Sequence, residues 1–69
     1  MNKSYTLNIA NLTTDDDATK IREHFSNIHG VERVDVVLDL KLVTLYYGEE
    51  VGSPYKLLTA FADLGYEVR

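Results

Sequence analysis

Cysteine is absent from this 69-residue chain. That absence excludes disulfides, thiolate nucleophiles and zinc–thiolate sites. Positive charge is scarce as well: 7 Lys and Arg against 11 Asp and Glu leave a formal charge of −4. Nucleic-acid phosphates call for the opposite balance, so nucleic acid is not an expected partner. No apolar run approaches the ~18 residues of a membrane span, and the opening Met1-Asn2-Lys3-Ser4-Tyr5 lacks the apolar stretch that marks secretion. The expectation is a soluble, cytoplasmic protein with no membrane insertion.

What is present fits one small folded unit. Hydrophobic residues make up 45% of the chain, which excludes intrinsic disorder. The length supports a single domain over residues 1–69. A domain of this size buries only about 60% of its unfolded surface and leaves little room for a deep pocket.

A shift of 36 residues exposes a weak internal duplication. Leu7 and Ile9 fall on Val43 and Leu45, two alternating apolar pairs that read as half-buried strands. Ile21, Phe25 and Ile28 fall on Leu57, Phe61 and Leu64, each set one stripe of an amphipathic helix. Each stripe is followed by a glycine, Gly30 or Gly65, and then by a further strand: Val34, Val36 and Leu38 in one case, Tyr66 and Val68 in the other. Thr14 reads as the cap of the first helix, with Asp15, Asp16 and Asp17 at the positive end of its dipole. Ser53-Pro54 is a cap followed by proline at the first helical position. His29 is placed in the last turn of the first helix.

Asp39-Leu40-Lys41 is a tight link that predicts an antiparallel hairpin between the second and third strands. Two β-α-β crossovers joined in this way predict an α+β, ferredoxin-like βαββαβ sandwich: a four-stranded antiparallel sheet with two helices on one face. Alternation then turns Thr6, Asn8, Arg33, Val37, Leu42, Thr44 and Tyr46 to the helix-free face. Val37, Leu42 and Tyr46 are expected to form a small apolar cluster there, suited to partner docking or self-association.

With elements in place, the chain resembles the heavy-metal-associated domain of copper chaperones and P-type metal ATPases, from Tyr5 to Val68. The likeness is carried by His29-Gly30-Val31-Glu32-Arg33-Val34-Asp35-Val36-Val37-Leu38, by Val43-Thr44-Leu45-Tyr46-Tyr47, and by Ala60-Phe61-Ala62-Asp63-Leu64-Gly65-Tyr66-Glu67-Val68. It fails at the metal loop. Where the family has Gly-Met-x-Cys-x-x-Cys, this chain has Asn11-Leu12-Thr13-Thr14-Asp15-Asp16-Asp17. Leu12 takes the place of the family's methionine, and Thr14 and Asp17 stand where the two thiolates belong. A hydroxyl and a carboxylate are hard donors, whereas Cu(I) prefers sulfur, so no Cu(I) and no other cofactor is expected. Tyr66, beside the metal loop in bacterial members, is retained. The resemblance implies a degenerate domain that contacts a protein partner, a metal transporter or chaperone. The contact would use Asn11, Leu12, Thr13 and Tyr66 together with Val37, Leu42 and Tyr46.

Two other readings are open. In the first, Asp15, Asp16 and Asp17, with His24, hold a hard or borderline cation, although the oxygen-rich loop spacing of calcium sites is missing. His24 and His29 are five apart, roughly 140° around a helix, and zinc pairs on helices are spaced by four. In the second, single-stranded RNA stacks on Tyr46, but Asn8 occupies a position where an RNA-recognition domain wants an aromatic. No nucleophile–base pair can be assembled, so no catalytic residue is assigned and no enzyme activity is expected.

Overall fold

The computed structural model describes residues 3–69. Strand β1 spans Lys3–Asn8, helix α1 Asp15–Ser26, strand β2 Val31–Val37, strand β3 Leu42–Tyr47 and helix α2 Pro54–Asp63. The strands form one antiparallel sheet in the order β1-β3-β2. Leu7 lies opposite Val43 and Thr6 opposite Thr44; on the other side of β3, Val34 faces Leu45 and Val37 faces Leu42. The β2–β3 link is a short 3₁₀ turn, Leu38–Leu40, closed by Lys41 in the left-handed region at φ 57°.

Both helix starts follow from local chemistry. Thr14 has extended backbone, and its hydroxyl accepts the Asp17 N–H at 3.2 Å. Ser53 does the same for the Tyr55 N–H at 3.2 Å, with Pro54 behind it supplying a fixed φ and no amide to satisfy. Helix α1 stops at Ser26 because Asn27 turns the chain and its side-chain amide donates to the Glu23 carbonyl at 2.8 Å. His29 therefore lies beyond the last turn, and the basic residue inside it is His24.

The four-stranded expectation is corrected to three strands plus a single bridge. After Gly65 (φ 88°), the chain returns along the outer edge of β1 and, among the described residues, pairs at the single bridge of Ile9 and Val68. The Ala10 N–H donates to the Glu67 carbonyl and the Arg69 N–H to the Asn8 carbonyl, each at 2.8 Å. The Gly65 and Tyr66 amides bond back to the end of α2, and two further groups are diverted into the loop. The Asn11 side chain donates to the Gly65 carbonyl at 3.0 Å and accepts the Glu67 N–H at 2.8 Å. A ladder cannot form through groups already engaged elsewhere.

The core lies between the sheet and the helices. Ile9, Leu12, Ile21, Phe25, Val43, Leu45, Leu57 and Phe61 are fully buried. Phe25 and Phe61, equivalent positions of the duplication, stack with centroids 4.2 Å apart at an interplanar angle of 28°. The two halves thus meet through the same residue in each. A further 3₁₀ turn, Glu49–Val51, tucks Val51 into the core against Gly30. The left-handed Gly30 (φ 97°) permits this approach, since a Cβ there would sit 2.8 Å from both Val51 Cγ2 and the Val51 nitrogen.

Candidate functional site

The loop between β1 and α1 sits at one end of the sheet, enclosed by the Gly65–Glu67 turn on one side and the β2–β3 turn on the other. The Ile9 N–H donates to the Lys41 carbonyl at 2.8 Å, and the Lys41 ammonium reaches the Ala10 carbonyl at 3.3 Å. Leu12 points inward with no exposure, a plug that keeps the loop seated on the core.

Asp17 is the hub of the loop. Its Oδ1 accepts the Tyr66 hydroxyl at 2.9 Å and its Oδ2 faces the Thr13 N–H at 3.4 Å, while its own N–H is capped by Thr14. The Tyr66 hydrogen bond, reinforced by Thr13 and Thr14, holds the carboxyl below its ordinary range against a partial opposing effect of desolvation. Burial first, then the adjacent carboxylate, pushes the Tyr66 phenol up to about 12. Thr14 and Asp17, one turn apart at the helix start, do come together as the sequence predicts, but they bind each other and their surroundings.

The residues expected to dock a partner divide into two groups. Leu12 (0% exposed) and Tyr66 (7%) face the interior and support the loop from beneath, so neither offers its side chain to a partner. Asn11 is exposed, yet both ends of its amide are committed to the Gly65–Glu67 turn. Thr13, Asp15 and Asp16 form the exposed rim. No local pattern marks Tyr66 as hydroxyl donor to Asp17. The i, i+3 acid behind a threonine cap names Asp17, but only the fold brings a tyrosine 49 positions away onto it.

The carboxylates of this loop are engaged or dispersed. Asp17 is engaged by Tyr66 and Thr13, and its hard oxygens suit no soft ion. Asp15, Asp16, Asp17 and His24 do not converge: no group of three or more His, Asp or Glu side chains among the described residues is placed to hold an ion. His24 is two turns along α1 from Asp17, about 10 Å by helix rise, with its ring edge-on to Phe25 at 5.3 Å. Nor do the described residues enclose a pocket for a small substrate.

The helix-free face of the sheet is a three-by-three grid. Across the strands run Ser4, Tyr46 and Arg33; then Thr6, Thr44 and Asp35; then Asn8, Leu42 and Val37. The Thr6 and Thr44 hydroxyls bond at 3.0 Å, Arg33 Nε donates to Asp35 Oδ1 at 3.0 Å, and the Arg33 guanidinium lies 5.8 Å from the centre of the Tyr46 ring. The expected apolar cluster is therefore split. Val37 and Leu42 pair across the strands, but Tyr46 is four residues from Leu42 along β3, about 13 Å, with Thr44 between them. Tyr46 has no second aromatic beside it on this face. Tyr5 and Tyr47 pack toward the core instead.

No protein-family model and no curated protein matches the sequence. Solved structures match it over nearly its whole length. The oxidized MerP of Ralstonia metallidurans CH34 has a TM-score of 0.87 at 25% identity, covering 100% of this chain and 96% of that one. A CopZ metallochaperone has a TM-score of 0.89 at 24% identity, covering 97% and 100%. A putative copper-ion-binding protein of Bacillus anthracis str. Ames has a TM-score of 0.89 at 22% identity, covering 100% and 97%. These likenesses establish the fold.

Proposed function

We propose that this chain, a heavy-metal-associated-like domain with a copper-chaperone-like fold and no Cys-x-x-Cys pair, is a protein-interaction module of a metal-transport system that carries no soft metal itself. One observation carries this reading: at the second ligand position of the metal loop, Asp17 is engaged by the Tyr66 hydroxyl and the Thr13 N–H. The loop is a braced helix start with an exposed, acidic rim, Thr13, Asp15 and Asp16. That rim suits the basic surface of a transporter or chaperone in the cytoplasm, with an association rate that falls as salt rises. The domain acts by binding and not by catalysis, and it needs no cofactor.

Amide NMR spectra titrated with Cu(I), Zn²⁺, Mg²⁺, Ca²⁺ and a short single-stranded RNA test the reading. The expected result is no saturable shift in any titration. Saturable shifts confined to residues 11–18 at micromolar metal would overturn it in favour of a cation carrier using the aspartates. Shifts centred on Tyr46 with RNA would overturn it in favour of base stacking on the open face.

A further inference from the structure

Strand β2 is the last strand of the order β1-β3-β2, and no strand among the described residues pairs with its outer side. Hydrogen bonds fix which of its residues face that side. The Ile9 N–H donates to the Lys41 carbonyl, so Lys41 turns its main chain toward β1. By alternation Leu42, Thr44 and Tyr46 turn theirs toward β2. The Gly48 N–H, donating to the Gly30 carbonyl at 2.9 Å, continues the same alternation. Their partners Val37, Asp35 and Arg33 point back into the ladder. Val34 and Val36 are left with their N–H and C=O groups directed outward.

We propose that two copies of this chain pair antiparallel through β2 about a two-fold axis at Val34, continuing the sheet across the axis. Val34 would then meet its own counterpart as a hydrogen-bonded pair of β-branched residues. Arg33 of each copy would face Asp35 of the other across a non-hydrogen-bonded pair, where side chains approach most closely.

The sequence of the edge selects this register. Antiparallel pairing keeps both sets of helices on one side of the joined sheet only if open-face residues oppose open-face residues, so the register can move only in steps of two. One step in one direction sets Arg33 against Arg33, and one step in the other sets Asp35 against Asp35. Only the axis at Val34 opposes unlike charges, and it does so twice by symmetry. Within one copy Arg33 and Asp35 are already side by side, with 71% and 39% of their side chains exposed, so each is available to bridge the seam. The register irregularity between Val31 and Arg33 shortens the ladder to the centre of the strand, which makes the association concentration-dependent and not obligate.

Sedimentation equilibrium from micromolar to millimolar protein, with amide exchange at both extremes, tests the proposal. The average mass should climb toward twice that of one chain, and the Val34 and Val36 amides should exchange more slowly at high concentration. Arg33→Asp and Asp35→Arg, each checked by NMR to be folded, should each weaken association about tenfold or more by setting like charges opposite. The two changes combined should restore it, because unlike charges again face each other. A single-chain mass throughout, unchanged association in the single variants, no recovery in the combined one, or association without protection of Val34 would each overturn it.

Discussion

The Tyr66 hydroxyl donates to Asp17 Oδ1 at 2.9 Å, joining the last turn of the chain to the first turn of α1 across 49 positions. This bond couples the charge of the loop to the stability of the fold from both ends of the pH scale.

On the acid side, the folded pKa of Asp17 lies below its unfolded value of 3.8, so the unfolded chain binds more protons in that window. Stability from this group is complete above the unfolded value and is lost as pH falls through the folded one. On the alkaline side, the Tyr66 phenol is raised from 10.0 to about 12, so its contribution is complete below pH 10 and is lost as pH climbs toward 12. In Tyr66→Phe the alkaline contribution should vanish and the Asp17 carboxyl should return toward its ordinary value. Thermal melts at a series of pH values, with carboxyl titration by NMR, check both.

Introducing sulfur at the loop should introduce soft-metal chemistry. Thr14→Cys with Asp17→Cys puts two thiols one turn apart at the start of α1, where a hydroxyl and a carboxylate now stand. The double variant should bind one Cu(I) per chain in a competition assay with a chromophoric chelator, while the parent chain binds none. Losing the Thr14 cap should cost about 1 kcal/mol in chemical denaturation.

The stacked pair at the centre of the core is the most sensitive packing site. Phe25→Ala or Phe61→Ala removes a fully buried ring from a 4.2 Å stack and should cost about 3–5 kcal/mol. In a domain whose total stability is of the same order, either variant should be largely unfolded at room temperature by far-UV circular dichroism.

Gly30→Ala should destabilise by more than about 1 kcal/mol, because φ there is 97° and the added Cβ meets Val51 at 2.8 Å. Gly65→Ala has the same backbone conflict, with φ 88°, but no atom within 4 Å of the new Cβ, so it should cost less. Urea midpoints of the two variants, measured side by side, separate backbone strain from steric conflict.

Much of the fold was legible because periodicity and punctuation are local. The β2–β3 hairpin, the caps at Thr14 and Ser53, and the glycines at 30 and 65 that follow the helical stripes are all read from residues a few positions apart. The fourth strand reads as complete in sequence because its alternation, Tyr66 and Val68, is intact. What reduces it to a bridge is Asn11, which takes the Glu67 N–H and the Gly65 carbonyl. On the open face, too, register decides what alternation leaves open. Val37, Leu42 and Tyr46 do share a face, but register alone places Thr44 between two of them and lays Arg33 beside the tyrosine ring.

At the candidate site, sequence by itself determined chemistry by exclusion. A loop with no cysteine offers no thiolate, whatever its shape, and a threonine followed by three aspartates makes a capped, acidic helix start. Tertiary structure decided which of those groups are available. It committed Asp17 to Tyr66 and the Asn11 amide to the last turn, turned Leu12 and Tyr66 inward, and left Thr13, Asp15 and Asp16 as the rim. The physical reason is that donor type is a property of the residue, whereas exposure and hydrogen-bond partnership depend on what the fold brings alongside. Here that is a tyrosine from the far end of the chain.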